Sequence, residues 1–199
     1  MIKHTMYAVT LGLVLFFLYL FQYTGAFKSV VISQDKRGPY TIVFKDHIGA
    51  YHKIVNHIEA VEKWSKENGL KCRLSFGEFF DDPMIVEEGR LKSRAGCIID
   101  PLVEQEQTLF LEIKSKLPPD FSYAVIPQSQ AVVALFSGAP GIGPLKVYPA
   151  VEDYMVENKL SKSGPIMEIY EVFSKNSMQT TYIWPIQDKS TSASTSKSN

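Results

Sequence analysis

Two stretches of this chain repeat one another at a spacing of 90 residues. Ala60-Val61-Glu62 recurs as Ala150-Val151-Glu152, Trp64 as Tyr154, Asn68 as Asn158 and Leu70 as Leu160. A β-rich run precedes each block, Thr41 to Phe44 and Ala131 to Ala134. Another follows each, Leu74 to Phe80 and Ile166 to Phe173, with Glu78 and Glu168 at the same offset. A repeat constrains architecture before any single residue does. Two copies are too few for a solenoid, whose units bury a core only by stacking on several neighbours. They predict one domain of two pseudo-symmetric halves, with the natural ligand site in the cleft where the halves meet.

The chain balances 21 basic against 21 acidic side chains. Phosphate binding calls for a basic excess, so nucleic acid is not an expected partner. Ten Tyr and twelve Phe can wall a pocket as well as fill a core. Cys72 and Cys97 are too few for a zinc site. They read as two half-buried thiols, with a disulfide as the alternative if the domain is exported.

Residues 6–27 carry no charged side chain, and 11–21 are almost purely apolar. At about 1.5 Å per residue this segment spans the roughly 30 Å hydrocarbon core of a bilayer. It reads as a single-pass anchor after a short tail, 1–5. A cleavable signal peptide is the competing reading, with Lys3 as its basic region and Thr24-Gly25-Ala26 as a cleavage site. Lys3 on one flank competes with Lys28, Lys36 and Arg37 on the other, so side and compartment stay open. The domain follows over 29–187, its halves at about 38–100 and 120–187. The Ser/Thr/Lys tail 188–199 has nothing to bury and is expected to be disordered.

Within the domain, Pro39 to Phe44 reads as a strand. Tyr51 to Glu67 reads as a helix, with Ile54, Ile58, Val61 and Trp64 on one stripe. Asn68-Gly69 ends it. Strands are expected at Arg73 to Phe80, Gly96 to Ile99, Tyr123 to Ile126, Gln130 to Phe136, Ile166 to Phe173 and Thr180 to Ile186. Glu104 to Lys116 is a short helix or an irregular connection, and a second helix covers about Val147 to Asn158. The class is α+β: a mostly antiparallel sheet with two helices on one face. Alternation sets Met167 and Ile169 against Glu168 and Tyr170. Apolar Met and Ile suit the helix-covered side, so Glu168 and Tyr170 are expected on the opposite, concave face, joined by Tyr182 and Trp184.

His47-Ile48-Gly49-Ala50-Tyr51, Phe79-Phe80-Asp81-Asp82-Pro83, and Gly164-Pro165 with Glu168 and Tyr170 resemble the motifs of the GyrI-like small-molecule-binding domain. The resemblance covers about residues 29–187. With the N-terminal anchor and Tyr148-Pro149-Ala150, it looks most like the membrane-anchored branch of the testis-expressed ER-phagy receptor type. The short tail without aromatics lacks that branch's autophagy motif, and no helix-turn-helix precedes the domain. The resemblance implies duplicated β-α-β-β (SHS2-like) halves around a concave cleft. It also implies a bulky, often cationic and aromatic ligand held near a buried Glu, here Glu168.

Candidate ligand-binding residues are therefore Glu168, Tyr170, Tyr51, Glu78 and Trp184. A carboxylate among aromatics either holds a cation or stays protonated, because an unpaired buried charge is costly. Ring faces favour cations further. Asp82-Pro83 reads as a strand-ending turn. His47, His52 and His57 lack metal-ligand spacing and no histidine suits a haem, so neither metal nor cofactor is expected. Two alternatives stand beside simple binding. One is hydrolysis of reactive small molecules, with Glu168 activating water and Tyr170 or Tyr51 steadying developing charge. The other is a receptor or adaptor that binds a protein partner.

Overall fold

The computed structural model describes residues 2–139, 141–174 and 177–187. The expected tail at 188–199 lies outside them. The first element is α1 (Ile2–Thr24). Its segment Lys3–Thr24 holds an apolar window of mean hydropathy 1.8 in which no residue is buried, so by length and composition it is able to cross a membrane.

Eight strands then form one antiparallel sheet: β1 (Val31–Arg37), β2 (Tyr40–Ile48), β3 (Leu74–Phe79), β4 (Lys92–Ile98), β5 (Ser122–Ile126), β6 (Ser129–Phe136), β7 (Ile166–Ser174) and β8 (Ser177–Pro185). Their order is β1-β6-β8-β7-β3-β4-β2-β5. The sheet is crossed by an exchange of edges. β1 precedes β2 in the chain but pairs with β6, while β5 precedes β6 but pairs with β2. The centre is the β3–β7 ladder, where Gly77 faces Glu168 and Glu78 faces Met167.

Three helices complete the domain: α2 (Val55–Glu67), α3 (Glu104–Ile113) and α4 (Gly143–Glu157). A 3-10 turn, Tyr51–Ile54, leads into α2, so the expected helix from Tyr51 has a tighter first turn. α2 and α4 stop in the same way. The Asn68 side chain donates to Trp64 O at 2.9 Å, and that of Asn158 donates to Tyr154 O at 2.8 Å. The next residue is left-handed in both, Gly69 at φ 87° and Lys159 at φ 53°. Glycine takes that conformation freely and lysine does not, which is why only the first stop signal is plain in the sequence. α4 begins four residues before Val147, because Pro144 near its first position starts a helix rather than breaking one.

The core has two sides. Ile42, Phe44, Phe76, Ile98, Val133, Met167, Ile169 and Ile183 form a cluster to which no helix contributes. The sheet curls into a half-barrel and buries this cluster against itself. On the other side, Val61 of α2 packs on Val43 and Cys97, while Val147 and Val151 of α4 pack on Val132, Ala134 and Tyr182. This reverses the expected facing. Met167 and Ile169 point into the curl, and Glu168 and Tyr170 point toward the helices. The alternation of β7 was read correctly. Its assignment to faces failed because a curled sheet supplies a second apolar interior with no helix over it.

Cys72 and Cys97 form a disulfide, with Cα atoms 5.5 Å apart, and are not free thiols. The bond ties the segment before β3 to β4, beneath α3.

Candidate functional site

The helix-covered face is read off the ladders as rows of side chains. One row runs Ala95, Gly77, Glu168, Tyr182 and Ala134 across five strands. A neighbouring row carries Ser75, Tyr170 and Thr180. α2 covers the β2–β4 side and α4 the β6 side, so Glu168 sits under the seam between them. The turn Tyr51–Ile54 closes the α2 side of this seam. A Cβ on Gly77 would lie 2.7 Å from Ile54 Cδ1, so the missing side chain at 77 is what lets Ile54 settle onto the sheet.

Glu168 is only 5% exposed. Tyr148 Oη donates to its Oε1 and Tyr170 Oη donates to its Oε2, each at 2.9 Å. Among the described residues no basic side chain lies within ion-pair distance of it. Burial pushes the Glu168 carboxyl above the usual carboxylate range, and the two phenol donors pull the other way. Burial and then the Glu168 charge push the Tyr148, Tyr170 and Tyr182 phenols up, so all three stay protonated. Rings wall the carboxylate: Tyr148 meets Trp184 edge-on at 5.2 Å, and Tyr182 stacks on Trp184 at 6.1 Å. The Tyr182 hydroxyl is buried against Gly143, with Thr180 beside it.

Of the residues singled out in the sequence, Glu168, Tyr170 and Trp184 come together here. Tyr51 stands at the α2 edge with its hydroxyl already engaged. It donates to Asp81 O at 2.8 Å and accepts from Asp81 N at 3.1 Å, while its ring meets Phe79 at 4.7 Å. Asp82 shapes the turn beyond, accepting Met84 N at 2.8 Å. Glu78 is not in the seam. It lies on the inner side of the curl, paired with Arg94, whose guanidinium rests 4.8 Å from the centre of the Phe44 ring. The cause is register. Side chains directly opposite one another share a face and neighbours alternate. Pairing Gly77 with Glu168 therefore sends Glu78 to the other side, even though Glu78 and Glu168 are 90 residues apart.

Sequence reasoning named Tyr148 only for a branch likeness and not as the second donor to Glu168. Its signal is present: Val147 and Val151 mark the buried stripe of α4, and Tyr148 lies beside that stripe. Glu62 of α2 was also passed over, although it belongs to the repeated Ala-Val-Glu. It is half-buried beside Ser75, and burial raises its pKa while the Ser75 hydrogen bond opposes the rise. The histidines are close-set without forming a metal site. His47 Nδ1 lies 3.1 Å from His57 Nε2, and His47 Nε2 lies 3.1 Å from Ala50 O. Among the described residues no group of three His, Cys, Asp or Glu could hold a metal.

Residues 32–187 match the model of the GyrI-like small molecule binding domain. The chain belongs to this family. Solved structures agree on the GyrI-like fold. The crystal structure of the EcmrR C-terminal domain superposes with a TM-score of 0.58 at 13% identity, covering 80% of this chain and 98% of that one. The cryo-EM structure of an EcmrR–DNA complex gives 0.58 at 12% identity, covering 94% and 69%. SAV2435 bound to tetraphenylphosphonium superposes more loosely, at 0.45 and 14% identity over 79% and 94%. Among curated proteins no relative matches.

Proposed function

We propose that this GyrI-like domain is held at a membrane by α1 and binds a hydrophobic, cationic and aromatic small molecule in the seam over Glu168. One observation carries the reading. A carboxylate 5% exposed sits among Tyr148, Tyr182 and Trp184, with two phenol donors and no basic partner among the described residues. An ionised carboxylate so placed is underpaid in charge, and a ligand cation would supply what the protein withholds. The rings would add quadrupole attraction to the same cation. Support for the anchor is the length and apolarity of Lys3–Thr24.

The two halves read best as products of duplication. The matched stops of α2 and α4 and the mutual exchange of β1 and β5 support that reading. A likeness to the membrane-anchored ER-phagy receptor branch rests on sequence motifs alone. The hydrolytic alternative has less behind it, since each Glu168 oxygen already accepts a phenol hydrogen bond that a general base would have to give up or share. Nothing in the seam favours a protein partner.

The test is calorimetry on the full chain in detergent or nanodiscs, titrating tetraphenylphosphonium and, as a neutral control, triphenylphosphine oxide. Wild type should prefer the cation, and Glu168→Gln should bind it at least about tenfold more weakly, the equivalent of roughly 1.4 kcal/mol. Equal affinity in the two proteins would remove the carboxylate from the reading. Slow turnover of an electrophilic ester, lost in Glu168→Gln, would favour hydrolysis instead.

A further inference from the structure

The anchor helix is docked on the domain, not strung from it. Ala139 N donates to Thr24 O at 3.0 Å, and Lys146 Nζ donates to Ala26 O at 2.6 Å and also to Lys28 O. Gly25, at φ 74°, turns the chain out of α1 so tightly that a Cβ there would lie 3.0 Å from Gly138 Cα. Glycine is the residue that takes this conformation at such an approach. The last turn of α1 is thus clasped by the β6–α4 loop and the first turn of α4, which fixes how the domain stands on the helix.

The ladders show what else occupies that end of the sheet. Val31 of β1 is level with Leu135 of β6, Thr181 of β8 and Ile169 of β7. Before Val31 the chain runs back beyond the sheet to α1. Past Ile169, β7 runs out in the same direction to Val172 and Phe173. At about 4.8 Å per strand, β7 lies roughly 14 Å from β1. Both places expose apolar side chains: Phe27 at 68%, Leu145 at 74%, Val172 at 61% and Phe173 at 59%. Lys28 and Lys146 stand among them.

Resting on the membrane reading above, we infer that this end of the sheet lies on the bilayer that α1 enters, with Leu145 and Phe173 dipping into its headgroup–acyl boundary. A helix clasped at the sheet end brings that end to the interface. Apolar groups there gain by burial to a depth of about 5–10 Å, and the exposed Lys28 suits anionic headgroups. The opposite end carries the 81–90 loop, whose Met84 and Ile85 are exposed as well but have no apolar helix leaving beside them.

The two native cysteines are bonded to each other, so an introduced cysteine takes a fluorophore alone. The full chain is labelled at Leu145→Cys, Phe173→Cys, Phe16→Cys in α1, or Met84→Cys in the far loop, where the native side chain is 90% exposed. Each is placed in phosphatidylcholine nanodiscs with nitroxide-bearing lipids. Labels at 145 and 173 should be quenched by a shallow nitroxide severalfold more than the label at 84. If 16 is quenched but 145 and 173 match 84, the proposal is overturned and the anchor survives. If 16 is not quenched by a nitroxide placed deep in the acyl chains either, the membrane reading falls with it.

Discussion

At the scale of one residue, Glu168 trades stability for a charge. Burial raises its pKa in the folded chain, so between the unfolded and folded values the native state holds the extra proton. Stability from this group is therefore complete at acid pH and is lost as pH rises through the folded value. Glu168→Gln carries no such charge. The variant should match wild type in urea unfolding below about pH 4, near the unfolded value. It should exceed wild type in stability at pH 8. A constant difference across that range would mean that the carboxylate is not desolvated. The residue was legible in the sequence because a Glu in the apolar run Ile166-Met167-Glu168-Ile169 has few structural reasons to be there. Its facing was not legible, and neither was Tyr148, because a helix stripe does not declare which sheet residue it meets.

Among the elements, the turn into α2 has its own pH dependence. His47 Nε2 donates to Ala50 O, which leaves Nδ1 to accept from His57 Nε2. Protonating His57 puts a charge beside His47 and Lys45. Burial first, then the neighbouring His47 and Lys45, hold His57 below its usual pKa, against a smaller opposing pull from Asp120. A base depressed in the folded state contributes stability above about pH 6.5 that is lost as pH falls. The hydrogen-exchange protection factors at Tyr51–Ile54, which divide out the intrinsic pH dependence of exchange, should therefore fall on acidification from pH 7.5 to 5.5, and His57→Gln should flatten the change. An unaltered profile in the variant would assign the dependence elsewhere. The strands and helices were mostly legible from periodicity, β1 excepted. Its Ser33-Gln34-Asp35-Lys36-Arg37 is polar because an edge strand meets the sheet on one side only and keeps charge at its free rim.

Across the whole molecule, the disulfide and the edge exchange act together. Cys72–Cys97 closes a loop of 25 residues, for which chain entropy predicts about 3.5 kcal/mol of stability. Reduction, or paired Cys72→Ser and Cys97→Ser changes, should lower the unfolding free energy by about that amount in denaturant titrations. A loss under 1 kcal/mol would contradict the chain-entropy account for this loop. Disulfides persist where surroundings are oxidising, so on the proposed membrane anchoring thiol labelling would also report which side the domain faces. The edge exchange has a consequence for synthesis. As the chain leaves the ribosome, α1 comes first, then β1 and β2, whose partners β6 and β5 are still unmade. β3 likewise waits for β7, and β6 waits for β8. The eight described strands therefore cannot join into one sheet until both β7 and β8 have emerged.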